Sequence, residues 1–355
     1  ARPAIAGGAL LVTMETLADF GTVSYYGVET LTTGIYRAWQ NMGDLVAAAQ
    51  LAALLLAAVM VLVWLERRGR DRSRYANVRA RGERMRPRVR GIGGWLRTAI
   101  CAVPLLFGFV LPALLLLRLL ARDWSSVSAT AVATWTRNSL WVGCLAALVV
   151  VTLTLMLNAR ARLAREVWAL RVERLLSFGY AVPGAVLAIG VLLPLTWLDG
   201  RLIDWSKQWL GVNPGLILTG SVLALVYASS IRFYGVAASA VSAAYARLPL
   251  SLDDSARVLG VVGRAAFLRV HWPAIRRSAF AGMLLVFIDT LKELPATMTL
   301  RPFNFDTLAT QTYNLVKDER LGEAAFPSLL IVLASLPAVA LLARAQSAKP
   351  SRRDD

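Results

Sequence analysis

Apolar residues in this chain gather in long uninterrupted runs and do not alternate with polar ones. The stretches 45–65, 98–117, 138–158, 175–198, 209–231 and 324–343 contain no charged residue. A hydrocarbon layer of roughly 30 Å needs about 20 helical residues to cross it, and each run meets that length. Two more apolar stretches carry acidic residues in their second halves, 4–18 with Glu15 and 278–294 with Asp289 and Glu293. The pattern predicts eight membrane-spanning helices, near 4–18, 44–65, 98–120, 138–158, 175–198, 213–236, 278–294 and 323–343. Pro183-Gly184 and Pro194 predict kinks in the fifth. The fold class is an all-α polytopic membrane protein, and a soluble enzyme is excluded.

Composition agrees. Of 355 residues, 57% are hydrophobic, against about 45–50% in a soluble domain, and 17% are charged, against about 25%. The net charge of +17 comes almost wholly from Arg. Such a balance could suit nucleic acid, but its placement follows the rule that cytoplasmic loops collect Arg and Lys. The stretch 66–97 holds 12 Arg, and 159–174 holds Arg160, Arg162, Arg165, Arg171 and Arg174. The stretch 245–277 and the tail are also basic, whereas 19–43, 199–212 and 295–322 are near neutral or slightly acidic. One topology accounts for every loop, so no nucleic-acid partner is expected and the C-terminus is expected in the cytoplasm. The glycine-rich 66–97 reads as a cytoplasmic linker. Cys101 and Cys144 lie inside apolar runs and read as small packing residues.

Part of the chain is repeated. Arg2, Gly8, Leu10-Leu11-Val12, Thr16 and Leu17 recur 274 positions later as Arg276, Gly282, Leu284-Leu285-Val286, Thr290 and Leu291. Glu15 and Asp19 recur as Asp289 and Glu293. After an insertion, Glu29-Thr30-Leu31, Thr33 and Tyr36 recur as Asp306-Thr307-Leu308, Thr310 and Tyr313. Repeats of one orientation imply two halves about an axis along the membrane normal. Two spans precede the linker and six follow it. With no initiator Met, the expectation is that about four N-terminal spans of the first half precede this chain.

Residues 248–273 read LPLSLDDSARVLGVVGRAAFLRVHWP. Asp254-Ser255-Ala256, three residues, Gly260, nine residues and Val270-x-Trp272-Pro273 resemble the EAA loop of ABC-importer permeases. Asp, Ser, Val and Trp stand where that pattern has Glu, Ala, Ile and Leu, with the spacing intact. The local physics is a short helix, a glycine turn and a second helix leading into a span whose start Pro273 marks. METLADFGTVSYYGVETLTTGIYRAW (14–39), KELPATMTLRPFNFDTLATQTYNL (292–315) and DERL (318–321) look like ferric-iron ABC permeases, which fuse two six-span halves.

The resemblance implies a type I importer (MetI-like) permease fold in a bacterial inner membrane. It implies that 1–65 ends a first half and that 98–346 is a complete second half, with coupling loop 248–273 and tail 347–355. It also implies an ABC ATPase dimer bound at the cytoplasmic face and a periplasmic iron-binding protein as donor. The chain itself would perform no covalent chemistry and need no cofactor. None of its four Lys follows the glycine pattern of a P-loop, so ATP hydrolysis falls to a partner.

Carboxylates inside a membrane face cavities or partners, because a charge at mid-bilayer costs about 2.5–3.5 kcal/mol. Glu15/Asp19 and Asp289/Glu293 are each spaced to share one helix face. Carboxylate and phenolate oxygens suit a hard ferric ion. These four residues are the expected translocation path, making transient metal contacts without a stable site; Tyr36 and Tyr313, and more weakly Tyr25 and Tyr26, join them. The bland alternative is a carboxylate paired with Lys292 or capping a neighbouring helix. Arg232 reads as snorkelling to the cytoplasmic interface, and His271, with no ligand partner in sight, as an ordinary loop residue. A thiamine or other small-solute permease, and an ion-coupled secondary transporter, stay open as alternatives.

Overall fold

A computed structural model describes residues 2–71, 91–124, 128–164 and 166–347. Residues 72–90 of the expected linker, Arg165 and the tail 348–355 lie outside the described residues, as do the side chains of Arg2, Leu10 and Leu11. Among the described residues every regular element is a helix, with no strand. Six helices are long and apolar enough to cross a membrane: Leu45–Leu65, Gly93–Asp123, Ala129–Leu163, Gly184–Leu210, Val222–Tyr245 and Leu321–Ala343. The other two expected spans are the helices α1 (Arg2–Ala18) and α13 (Trp272–Leu291), of 17 and 20 residues.

Several boundaries differ from expectation for local reasons. Pro183, extended at φ −56 and ψ 142, precedes the helix α9 (Gly184–Leu210) and does not kink it, so 175–183 is not part of the span. Those residues form the end of α8 (Val167–Ser177) and a 3-10 turn, Phe178–Ala181. The expected loop 199–212 is helical to Leu210, because the terminator is Gly211, left-handed at φ 67. Residues 213–221 are a loop, and α10 (Val222–Tyr245) starts only at its Ser221 cap. Buried Asp199 organises that loop, accepting hydrogen bonds from the backbone N–H groups of Ile217, Leu218 and Thr219 and from the Thr219 hydroxyl at 2.6–3.1 Å.

The expected linker is helical at both ends, since α4 (Leu45–Asp71) continues to Asp71 and α5 (Ile92–Leu105) starts at Ile92. A π turn at Leu106–Val110 joins α5 to α6 (Leu111–Asp123), and another at Phe267–His271 leads into α13. Pro112 and Pro273 follow these turns, and each proline ring would clash with the carbonyl four residues back, which the wider turn relieves. The 31-residue span 93–123 is exposed along most of its apolar length, and its second half packs on the helix 321–347. Cys101 and Cys144 are exposed on outer helix faces and do not serve as packing residues.

The main core joins α7 (Ala129–Leu163), α10 and α13 through Ala147, Val150, Ala237, Val241, Ala279 and Val286. Small residues let these backbones approach, as where a Cβ on Gly282 would lie 3.2 Å from the Ala237 Cα. A second core joins α3 (Leu31–Tyr36) and α4 to the start of α9.

The two repeat blocks adopt the same order of elements. α1, α2 (Gly21–Tyr25), α3 and α4 correspond to α13, α14 (Pro295–Leu300), α15 (Leu308–Lys317) and α16 (Leu321–Ser347). Both copies start their third helix with the same reciprocal cap, Thr30 with Thr33 and Thr307 with Thr310. Tyr36 and Tyr313 meet on Phe20, with ring centroids 4.8 and 5.3 Å away.

Candidate functional site

The four repeated carboxylates converge. Glu15, Asp19, Asp289 and Glu293 line a single cavity of about 440 Å³ together with Tyr180, Arg232 and Lys292. Its walls come from the ends of α1 and α13, the short helices that follow them, the 3-10 turn and α10. Tyr36 and Tyr313 do not line this cavity, since they are packed on Phe20, and the Tyr313 hydroxyl lies 2.8 Å from Ser24 Oγ. Tyr25 and Tyr26 are exposed and stack on each other.

The carboxylates differ in what holds them. Asp289 is paired with Lys292 at 3.1 Å on the same helix end. Glu293 accepts from Arg232 Nη1 at 3.1 Å and from the Ala296 N–H at 3.2 Å, and its side chain is 5% exposed. Asp19 accepts from the Thr22 N–H at 3.3 Å, the equivalent backbone contact in the first copy. Helix capping thus applies to Asp19 and Glu293, and lysine pairing to Asp289. Glu15 is exposed to the cavity and, like Asp19, has no ion-pair partner among the described residues.

Arg232 is not at an interface. It reaches into the cavity floor with its side chain 12% exposed, because Glu293 offers a desolvated carboxylate 61 positions away. The pair sits on Gly184, where a Cβ would overlap both the guanidinium and the carboxylate. Among the described residues, no group of three or more His, Cys, Asp or Glu is placed to hold a metal.

The loop forms a second site. α11 (Leu250–Val258) is followed by Gly260, left-handed at φ 75, by α12 (Gly263–Ala266) and by the π turn into α13. Val258, Leu259 and Val262 at its tip are 88, 79 and 60% exposed. Asp254 is exposed and 3.7 Å from Arg257, and Ser255 is exposed; Ala256 is buried, Val270 half-buried, and Trp272 and Pro273 partly open.

Burial falls on residues the spacing did not single out. Asp253 receives Arg162 Nε at 2.7 Å and lies 2.8 Å from His271 Nε2. His271 is 1% exposed and does have a partner, contrary to the loop reading. Burial alone would raise the Asp253 carboxyl's pKa, but the hydrogen bonds from Arg162 and His271 outweigh it and hold the group below its ordinary value. The only signal in the sequence was a doubled acid, Asp253-Asp254, with no indication of which residue turns inward.

No protein-family model matches the chain. Over 340 residues, 94% of its length, the chain is 24% identical to the Fe(3+)-transport system permease protein FbpB 2 of Haemophilus influenzae. It spans 64% of that protein's length. This polytopic helical chain is thus similar, along nearly all its length, to a membrane permease named for ferric-iron transport.

Proposed function

We propose that the chain is a membrane permease component of an ATP-driven importer whose solute is ferric iron. The observation that carries this reading is the α11–Gly260–α12 excursion, which presents an apolar tip to solvent while its base is held by buried charged groups. An exposed cluster of Val258, Leu259 and Val262 fits insertion into a groove on a partner, and the partner is an ABC ATPase dimer. In this reading Asp254, Ser255, Ala256, Gly260, Val270, Trp272 and Pro273 belong to the coupling loop. The excursion and the C-terminus face the cytoplasm of a bacterium, and the membrane is its inner one. The two repeat blocks belong to two permease halves.

Iron is favoured by four carboxylates on one cavity, by hard-cation chemistry and by the ferric-iron relative. Glu15 and Asp19 receive the ion from a periplasmic binding protein and pass it towards Asp289 and Glu293. The contacts are transient. Tyr36 and Tyr313 brace the two blocks beside this path.

The test is uptake of labelled ferric iron and labelled thiamine in parallel, using the full-length permease with its cognate ATPase and binding protein. Iron uptake that requires ATP and is lost on Asp254→Lys or Gly260→Val supports the reading. Thiamine uptake without iron uptake overturns the iron assignment, and uptake that follows the proton gradient at constant ATP overturns the importer class.

A further inference from the structure

We propose that Arg162 is a positioning residue that locks the coupling helix to two membrane helices, so that its displacement is delivered to the Arg232–Glu293 pair. This rests on reading α11 as the ATPase contact. Arg162 stands at the end of α7, a 35-residue helix about 52 Å long, which carries it well beyond a hydrocarbon layer. Its guanidinium makes four bonds to the α10–α11 segment. Nε donates to Asp253, Nη1 to the Tyr245 carbonyl at 2.6 Å, and Nη2 to the carbonyls of Leu248 and Pro249 at 2.9 and 3.2 Å. Those carbonyls lie at and beyond the end of α10, where backbone acceptors lose helical partners and a cation is favoured.

Asp253 lies in the first turn of α11 and His271 just ahead of α13, so four elements meet at one buried node. The side chains of Arg162, Asp253 and His271 are only 13, 8 and 1% exposed. A buried ionic cluster adds little stability over apolar packing of the same volume, because desolvation consumes the Coulombic gain. What it does supply is one permitted geometry.

That geometry has a readout at the other end of the same helices. α10 ends in the node at Tyr245 and carries Arg232 thirteen residues earlier, about 20 Å away. α13 starts beside His271 and runs about 30 Å to Leu291, two residues before Glu293. One partner of the cavity ion pair is thus borne on α10 and the other lies two residues beyond the end of α13, and these are the two helices that the node joins. A push on α11 that shifts α10 against α13 makes or breaks that pair, which is the two-state element such a route requires.

The experiment reconstitutes the full-length permease with its ATPase and binding protein in proteoliposomes, and measures solute moved per ATP hydrolysed. In Arg162→Met, ATPase binding and basal hydrolysis persist while transport per ATP falls by about tenfold, the size of a typical coupling between two sites once the guanidinium no longer biases the two-state element. Arg162→Lys keeps the bond to Asp253 but loses the forked carbonyl contacts, and falls between wild type and Arg162→Met. A merely structural role would lower assembly, hydrolysis and transport together and leave their ratio unchanged; that result in both variants overturns the proposal. A wild-type ratio in Arg162→Met also overturns it. A wild-type permease that neither binds an ATPase nor responds to ATP overturns the coupling-loop reading itself, and the lock with it.

Discussion

Asp19 and Glu293, 274 positions apart, hold the same place in the two copies of the repeat, and each accepts a hydrogen bond from the backbone N–H three residues on. Only Glu293 also has a guanidinium beside it. The repeat therefore keeps the backbone role while the electrostatics diverge. One wall of the cavity is internally neutralised by Lys292 and Arg232, and the other presents Glu15 and Asp19 without ion pairs among the described residues.

This asymmetry ranks the carboxylates. Among the described residues Glu15 has no capping or ion-pair duty, so Glu15→Gln is expected to leave protein level unchanged while iron uptake drops. Neutralising Glu15 and Asp289 together is expected to abolish uptake with ATPase binding intact. Uptake of labelled iron beside quantitative immunoblotting checks both, and unchanged transport in the double variant removes these residues from the path.

Arg232→Met strands a buried carboxylate and is expected to destabilise the protein by about 3–5 kcal/mol. Adding Glu293→Gln removes the stranded charge, so the double variant is expected to recover most of that loss. Thermal melts of the purified protein in detergent provide the comparison. Two additive losses would show that the residues do not act as a pair.

Gly184→Ala acts on the same pair from beneath, because the new methyl overlaps both Arg232 and Glu293. Overpacking of this kind costs about 1–3 kcal/mol. The loss is expected to disappear when Gly184→Ala is combined with Arg232→Met and Glu293→Ala, which remove both overlapped side-chain ends.

The Asp253 node carries an acid dependence of definite sign. Its folded-state pKa lies below the unfolded value of about 3.9. Its contribution to stability is therefore complete above that unfolded value and is lost as pH falls through the lower, folded one. Protease resistance of the 250–271 loop is expected to fall in that acid window in the wild type. Asp253→Asn is expected to be weaker at neutral pH and flatter through the window.

Much of this was legible in the chain itself. Charge-free runs located the six long helices, and the repeat anticipated that Glu15, Asp19, Asp289 and Glu293 would meet. The Asp254–Gly260–Pro273 spacing anticipated helix, glycine turn and helix. What escaped were partnerships between distant elements. Arg232 looks like an interfacial arginine until Glu293 arrives from α13, and His271 looks partnerless until α11 folds Asp253 over it. Hydropathy also cannot see a helix terminator inside an apolar run, so Pro183 and Gly211 moved both ends of α9.

Asp199 bears on how the molecule is made. Its carboxylate is fully buried within a helix and its four donors all come from 217–219, in the loop leading to α10. Until 217–219 fold back onto α9 that charge lacks these donors, and a buried carboxylate without donors is costly. The end of α9 and the turn into α10 therefore close as one unit, with the anion satisfied by its own loop.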